Sequence, residues 1–105
     1  MDHTFPRLVA DIGGTNARFS LETSLYNYTN TKVLPCKDYK TMAHAAHAYL
    51  EEIGVDHVEY AAIALPTPIS GDKILMVNSP WETFSIEETK QQLGLKNVVF
   101  LNDFH

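Results

Sequence analysis

Two adjacent glycines set between two apolar runs constrain this chain more than any other feature. Leu8 to Ile12 and Ala17 to Leu21 both read as strands, and the chain turns between them at Gly13-Gly14-Thr15-Asn16. Gly13 and Gly14 tolerate positive φ and carry no side chain, so the N–H groups of such a turn are able to approach phosphate oxygens closely. Thr15 and Asn16 add polar side chains at the same place. Asp11 would repel a bare phosphate. Its presence implies a Mg²⁺ ion between carboxylate and phosphates, held as that ion usually is by one or two carboxylates, waters and phosphate oxygens. A hairpin turn whose glycines only satisfy the backbone twist is the plain alternative, and a short motif by itself leaves both open.

A chain of 105 residues with 45% hydrophobic content has the material for one domain and one core. The net charge of −5 argues against nucleic acid or an anionic membrane as partner, since either needs a basic face. Small molecules and proteins remain. The single cysteine, Cys36, cannot form an internal disulfide and reads as a small hydrophobe in or beside a strand. Met1 to Arg7 lacks the apolar stretch of a signal peptide, and no run reaches the ~20 apolar residues of a membrane span. The expectation is a soluble cytoplasmic protein.

Lys32 to Cys36 reads as a third strand after the polar stretch Tyr26 to Thr31, which completes a meander. Met42, Ala45, Ala46, Tyr49, Leu50 and Ile53 recur at helical spacing, with Thr41 as N-cap and Gly54 as stop. Glu59 to Leu65 is apolar enough for a strand buried on both faces, ended by Pro66 and Pro68. Ser85-Ile86-Glu87-Glu88 has the form of a capping box for a helix that runs to Leu93 and stops at Gly94. Val98 to Leu101 is a last strand, followed at once by Asn102-Asp103-Phe104. The order β-β-β-α-β-α-β predicts an α/β domain with a mixed five-stranded sheet. Its parallel strands would bring Asp11, the Pro66 to Pro68 turn and Asn102-Asp103 to one sheet edge, where open α/β sheets bind ligands.

With these segments in view, the sequence resembles the N-terminal domain of the bacterial glucokinases, within the superfamily of sugar kinases, actin and heat-shock ATPases. Asp11-Ile12-Gly13-Gly14-Thr15-Asn16-Ala17-Arg18 looks like the family's first phosphate loop, and Pro68-Ile69-Ser70-Gly71-Asp72 like its second signature. Asn78 through Trp81 to Phe84-Ser85 resembles the third, and Asn102-Asp103-Phe104 the segment with the catalytic aspartate. The resemblance implies a ribonuclease-H-like, actin-like ATPase fold and ATP-dependent phosphorylation of D-glucose to glucose 6-phosphate, the entry step of glycolysis. It places ATP against Ala10, Asp11, Ile12, Gly13, Gly14, Thr15 and Asn16, with Mg²⁺ at Asp11 through water. Asp103 would be the general base for the sugar 6-hydroxyl, and Asn102 and Asn78 would border the sugar. Phosphoryl transfer suits this set, because it depends on positioning and charge stabilisation, with a carboxylate to orient the nucleophile.

Three departures from the family's pattern stand out. Ser79-Pro80-Trp81 replaces a His-Thr-Trp or His-His-Trp run, Pro66-Thr67 adds a proline before Pro68, and His105 follows Phe104 where Thr or Glu and then Ala are usual. The family's chains are also much longer. The resemblance implies that residues 1–105 correspond to the small domain, and that the large domain, with most of the sugar and adenosine contacts, and a final helix that returns to this sheet are absent from this chain. The resemblance therefore implies that these residues alone are inactive and expose an apolar face able to form a homodimer.

Other candidates have ordinary readings. His44 and His47 stand one helical turn apart, yet a zinc site needs at least a third ligand. Glu51-Glu52 and Glu87-Glu88 read as solvated helix faces, Asp72 as a turn residue, and Trp81 as packing in preference to a platform for a sugar ring. Three rival functions remain: a kinase for another hexose or amino sugar, a sugar-sensing regulator on the same fold, and a stand-alone interaction module. The presence of both Asp11 and Asp103 favours an enzyme over a sensor, which needs neither a Mg²⁺ carboxylate nor a base.

Overall fold

The computed structural model describes residues 5–55, 57–65, 69–70, 73–74, 81 and 84–102. Strand β1 (Arg7–Ile12) pairs antiparallel with β2 (Asn16–Ser24), from Arg7 opposite Glu22 to Ile12 opposite Ala17. Strand β3 (Asn27–Pro35) pairs antiparallel with β2 and ends in a 3₁₀ turn, Cys36–Asp38. Helix α1 (Met42–Glu52) starts where Thr41 Oγ1 accepts the His44 N–H at 3.2 Å, and it ends at Gly54, φ +77°. After it, β4 (Tyr60–Leu65) lies parallel to β1. Three two-residue strands follow, β5 (Ile69–Ser70), β6 (Lys73–Ile74) and β7 (Phe84–Ser85), which pair antiparallel as a small second sheet. Helix α2 (Ile86–Leu93) opens with Ser85 Oγ accepting the Glu88 N–H at 3.2 Å and closes at Gly94, φ +66°. Strand β8 (Asn97–Asn102) then lies parallel to β4, which gives a five-stranded order β3-β2-β1-β4-β8.

The core lies on one side of this sheet. Leu8, Ala10 and Ile12 of β1, Ala17, Phe19 and Leu21 of β2, and Ala61, Ile63 and Leu65 of β4 are buried in one cluster with Met42, Ala45, Ala46, Tyr49 and Leu50 of α1 and Leu93 of α2. The rings of Phe19 and Tyr49 stack with centroids 5.4 Å apart, and the Tyr49 hydroxyl donates to the Asn30 carbonyl at 2.7 Å. Burial pushes this phenol up to about 12. Trp81 is also buried, its indole N–H donating to the Tyr39 carbonyl at 3.0 Å, so it packs instead of offering a platform.

Several expectations change. The polar stretch before Lys32 is strand, because edge-strand polar side chains face solvent or bond across the ladder; Ser20 Oγ and Thr31 Oγ1 are 2.8 Å apart, and Thr29 Oγ1 donates to the Leu21 carbonyl at 3.3 Å. Cys36 falls in the 3₁₀ turn, just beyond the strand. Strand β4 is buried on one face only, with Tyr60, Ala62 and Ala64 half-buried on the other. Both helices share the opposite face. The helix-free face carries Val33, Val99 and Leu101, each about half exposed at 55%, 47% and 52%. The second small sheet was not expected, since strands of two residues are too short to show any periodicity. None of the described helices is long and apolar enough to cross a membrane.

Both helix stops rest on a left-handed glycine. A Cβ at Gly94 would also stand 3.4 Å from His57 Cε1. Gly94→Ala is expected to cost about 1 kcal/mol, a fall of roughly 4–8 °C in Tm for a domain of this size, read by thermal denaturation. Gly94→Asn should cost less, because Asn tolerates the left-handed region better.

Candidate functional site

Sheet register builds the site. Asp11 of β1 is level with Ala64 of β4, and Ala64 with Leu101 of β8, so Leu65 and Asn102 lie one residue further along the same carboxyl-terminal edge. The Gly13–Thr15 connection leaves β1 at this edge. As expected from the sequence, the parallel strands therefore bring Asp11 and Asn102 to one side of the sheet. Asp103, Asn78 and the Pro66 to Pro68 turn lie outside the described residues.

Along β1 the side chains alternate between two surroundings. Ala10 and Ile12 are buried in the core, at 2% and 1% exposure, so only their backbone faces the edge. Asp11 is exposed on the helix-free face and has no ion-pair partner among the described residues. An exposed carboxylate of this kind is a group that could take part in holding a divalent cation through water.

The loop is a hairpin connection between β1 and β2, as the plain reading of the Gly-Gly turn has it. The Gly13 N–H donates to the Asn16 carbonyl at 2.8 Å, which closes the hairpin. A Cβ on Gly13 would stand 3.2 Å from that same oxygen. Close approach accounts for this glycine; among the described residues only Gly54 and Gly94 are glycines with positive φ, so the loop does not use the left-handed freedom that Gly13 and Gly14 offer. The N–H groups of Gly14 and Thr15 donate to no group among the described residues. Thr15 and Asn16 are exposed beside them.

A buttress beneath the loop was not foreseen. Cys36 is fully buried, its N–H donates to the Thr15 carbonyl at 2.9 Å, and its Sγ lies 3.8 Å from the Gly13 carbonyl oxygen. Burial pushes the thiol up from its ordinary value, so it stays protonated and able to donate. Sequence offered only its apolar character, because the contact joins residues 23 positions apart.

The remaining candidates have structural partners. His44 Nδ1 is 2.7 Å from Thr41 Oγ1, and His47 Nε2–H donates to the Gln92 carbonyl at 2.9 Å, which links the two helices. Among the described residues no three metal-ligating side chains cluster. Glu51, Glu52, Glu87 and Glu88 are exposed, as expected, with Glu52 3.3 Å from Lys32 Nζ.

Comparison with known proteins adds what geometry alone cannot. The glucokinase family model matches residues 8–105. The glucokinase of Neisseria meningitidis serogroup C is 54% identical over 100 residues, covering 95% of this chain and 30% of the relative. A crystal structure of glucokinase from an Antarctic psychrotroph superposes with a TM-score of 0.83 at 33% identity, covering 93% of this chain and 32% of that one. A ROK family glucokinase from Streptomyces griseus, solved in complex with glucose and AMPPNP, shares the fold with a TM-score of 0.67 at 21% identity, covering 93% and 33% of the two chains. The chain thus spans about a third of the length of the proteins it matches. With the family's sequence signature running from β1 to the end, and the mixed sheet of its solved members in place, the chain belongs to the glucokinase family.

Proposed function

We propose that residues 1–105 act as the small, phosphate-binding domain of an ATP-dependent glucokinase, which transfers the γ-phosphoryl group of ATP to the 6-hydroxyl of D-glucose. The observation that carries this reading is the presence at one sheet edge of two loop amides without a partner among the described residues, the exposed carboxylate of Asp11 and the end of β8 at Asn102. Strands β1 and β8 are separated by β4 alone, which sets their axes about 10 Å apart at this edge. The Streptomyces griseus relative, bound to glucose and an ATP analogue, supports the same pair of substrates.

Each residue then has a chemical task. The amides of Gly14 and Thr15 hydrogen-bond phosphate oxygens, with the Thr15 and Asn16 side chains beside them, and Ala10 and Ile12 contribute backbone while their side chains anchor β1 in the core. Asp11 holds Mg²⁺ through water, and that ion, when bound, offsets the negative charge of the phosphates. Asp103 accepts the proton of the glucose 6-hydroxyl as the oxygen attacks the γ-phosphorus and the bond to the ADP oxygen breaks. Asn102 and Asn78 hydrogen-bond sugar hydroxyls. A larger domain supplies the opposite wall of the cleft and expels water on closure. We place the protein in the cytoplasm, where ATP is present and a free thiol such as Cys36 is usual.

The test uses a full-length protein in which these residues are completed by the remaining two thirds of the Neisseria meningitidis relative. Asp103→Asn is expected to leave glucose binding nearly intact and to lower kcat by roughly 100- to 10,000-fold. Undiminished turnover would remove Asp103 from the base role. Asp11→Ala should raise the KM for MgATP, and the 105 residues alone should show no turnover in a coupled glucose 6-phosphate assay.

We further propose that the isolated chain forms a two-fold dimer through its helix-free sheet face, where Val33, Val99 and Leu101 are exposed. Val99 and Leu101 lie together on the edge strand β8 and Val33 on the opposite edge strand β3, and burying these side chains is favourable at ~25 cal/mol per Å² before the costs of association. Sedimentation should show a concentration-dependent dimer that Val99→Lys and Leu101→Lys together abolish. A strict monomer up to millimolar protein would overturn it.

A further inference from the structure

The corner where β3 passes into the Cys36–Asp38 turn lies directly beneath the Gly13–Thr15 loop, and it holds both of that loop's flanking carbonyls. The Gly13 carbonyl faces Cys36 Sγ and the Thr15 carbonyl receives the Cys36 N–H. A trans peptide directs its C=O and its N–H to opposite sides. The peptide between Gly13 and Gly14 is trans, so a Gly13 carbonyl pulled inward toward the fully buried Cys36 turns the Gly14 N–H outward, away from the core. That amide has no partner among the described residues.

From this geometry we infer that Cys36 is a positioning residue for nucleotide: its N–H fixes the Thr15–Asn16 peptide at the end of the loop, and its thiol orients the Gly13–Gly14 peptide so that the Gly14 amide is aimed at a phosphate oxygen before any ligand arrives. The inference rests on the phosphate-binding reading of the loop given above. It adds a residue distant in sequence, buried, and in contact with no substrate. A donor aimed in advance needs no reorganisation when negative charge develops near it, which is how fixed amides contribute most to phosphoryl transfer. The raised thiol pKa agrees with this part, because a protonated sulfur retains the hydrogen it donates.

Two substitutions separate the two donors. Cys36→Ala removes the thiol and keeps the N–H. Cys36→Pro removes both; Pro35 already has the extended backbone, φ −72° and ψ 128°, that a residue before proline requires, but the ring takes the place of the hydrogen aimed at the Thr15 carbonyl 2.9 Å away, so this variant also pushes that carbonyl aside. In the completed full-length protein, Cys36→Ala should raise the KM for MgATP roughly three- to tenfold, the scale of one ordinary hydrogen bond, with the KM for glucose unchanged. Cys36→Pro should raise it further. Equal rises in both Michaelis constants would show general loosening and overturn the inference, as would no change in either.

A second measurement stands apart from activity. In the 105-residue chain labelled with ¹⁵N, Cys36→Ala should shift the amide signals of Gly14 and Thr15 and leave those of α2 in place. Unmoved loop signals would overturn the positioning role even if Cys36→Pro failed to fold. Should the completed wild-type protein fail to phosphorylate glucose with ATP, the functional reading falls, while the loop signals still decide whether Cys36 orients the peptides.

Discussion

Everything at the candidate site depends on the position of β1 between two partners of opposite sense. Its antiparallel ladder with β2 forces the chain to reverse at Gly13–Thr15, and its parallel ladder with β4 forces the chain to return from the other end. A strand with one partner of each kind has a tight loop at its carboxyl-terminal end and, beside that loop, the ends of its parallel neighbours. Asp11 and Asn102 come together for this reason, 91 positions apart in a chain with no direct contact between β1 and β8. The register is strongly held, because a slip of one residue would turn Leu8, Ala10 and Ile12 out of the core.

The one-sided core has a second consequence. With α1 and α2 packed on the same face, the odd-numbered residues of β1 look away from the helices, and Asp11 gains its exposure from that alternation. The same alternation puts Val33, Val99 and Leu101 on the open side. The exposed carboxylate and the exposed apolar side chains thus share one face. A buried carboxylate shows how the remainder of the meander is tied down: Glu22, only 5% exposed, accepts the Tyr26 N–H at 3.1 Å and lies 3.8 Å from Arg7 Nε, which joins the β2–β3 hairpin to the start of β1. Removing either neighbour would leave a charge with poorer compensation in a low-dielectric place.

Much of this was legible in the residues. Strong local signals carried through: the Thr41 and Ser85 caps, the stops at Gly54 and Gly94, and the apolar face of α1 are written in spacing over a few residues. The polar run Asn27 to Thr31 misled because its strand character comes from pairing with β2, which composition does not encode. Strand β4 looked buried on both faces because alanines at 61, 62 and 64 are small enough for either surrounding.

By itself, then, the sequence determined the elements, the turn at Gly13-Gly14 and the family to which the motifs point, since each is written in spacing over short stretches of chain. Tertiary structure decided which face of the sheet stays open and that β5, β6 and β7 pair at all. It also decided that the loop relies on close approach at Gly13 and a buttress at Cys36 in place of left-handed glycines. The physical reason is the same in each case. Hydrogen bonds and packing between distant segments choose among conformations that local propensity leaves nearly equal in energy.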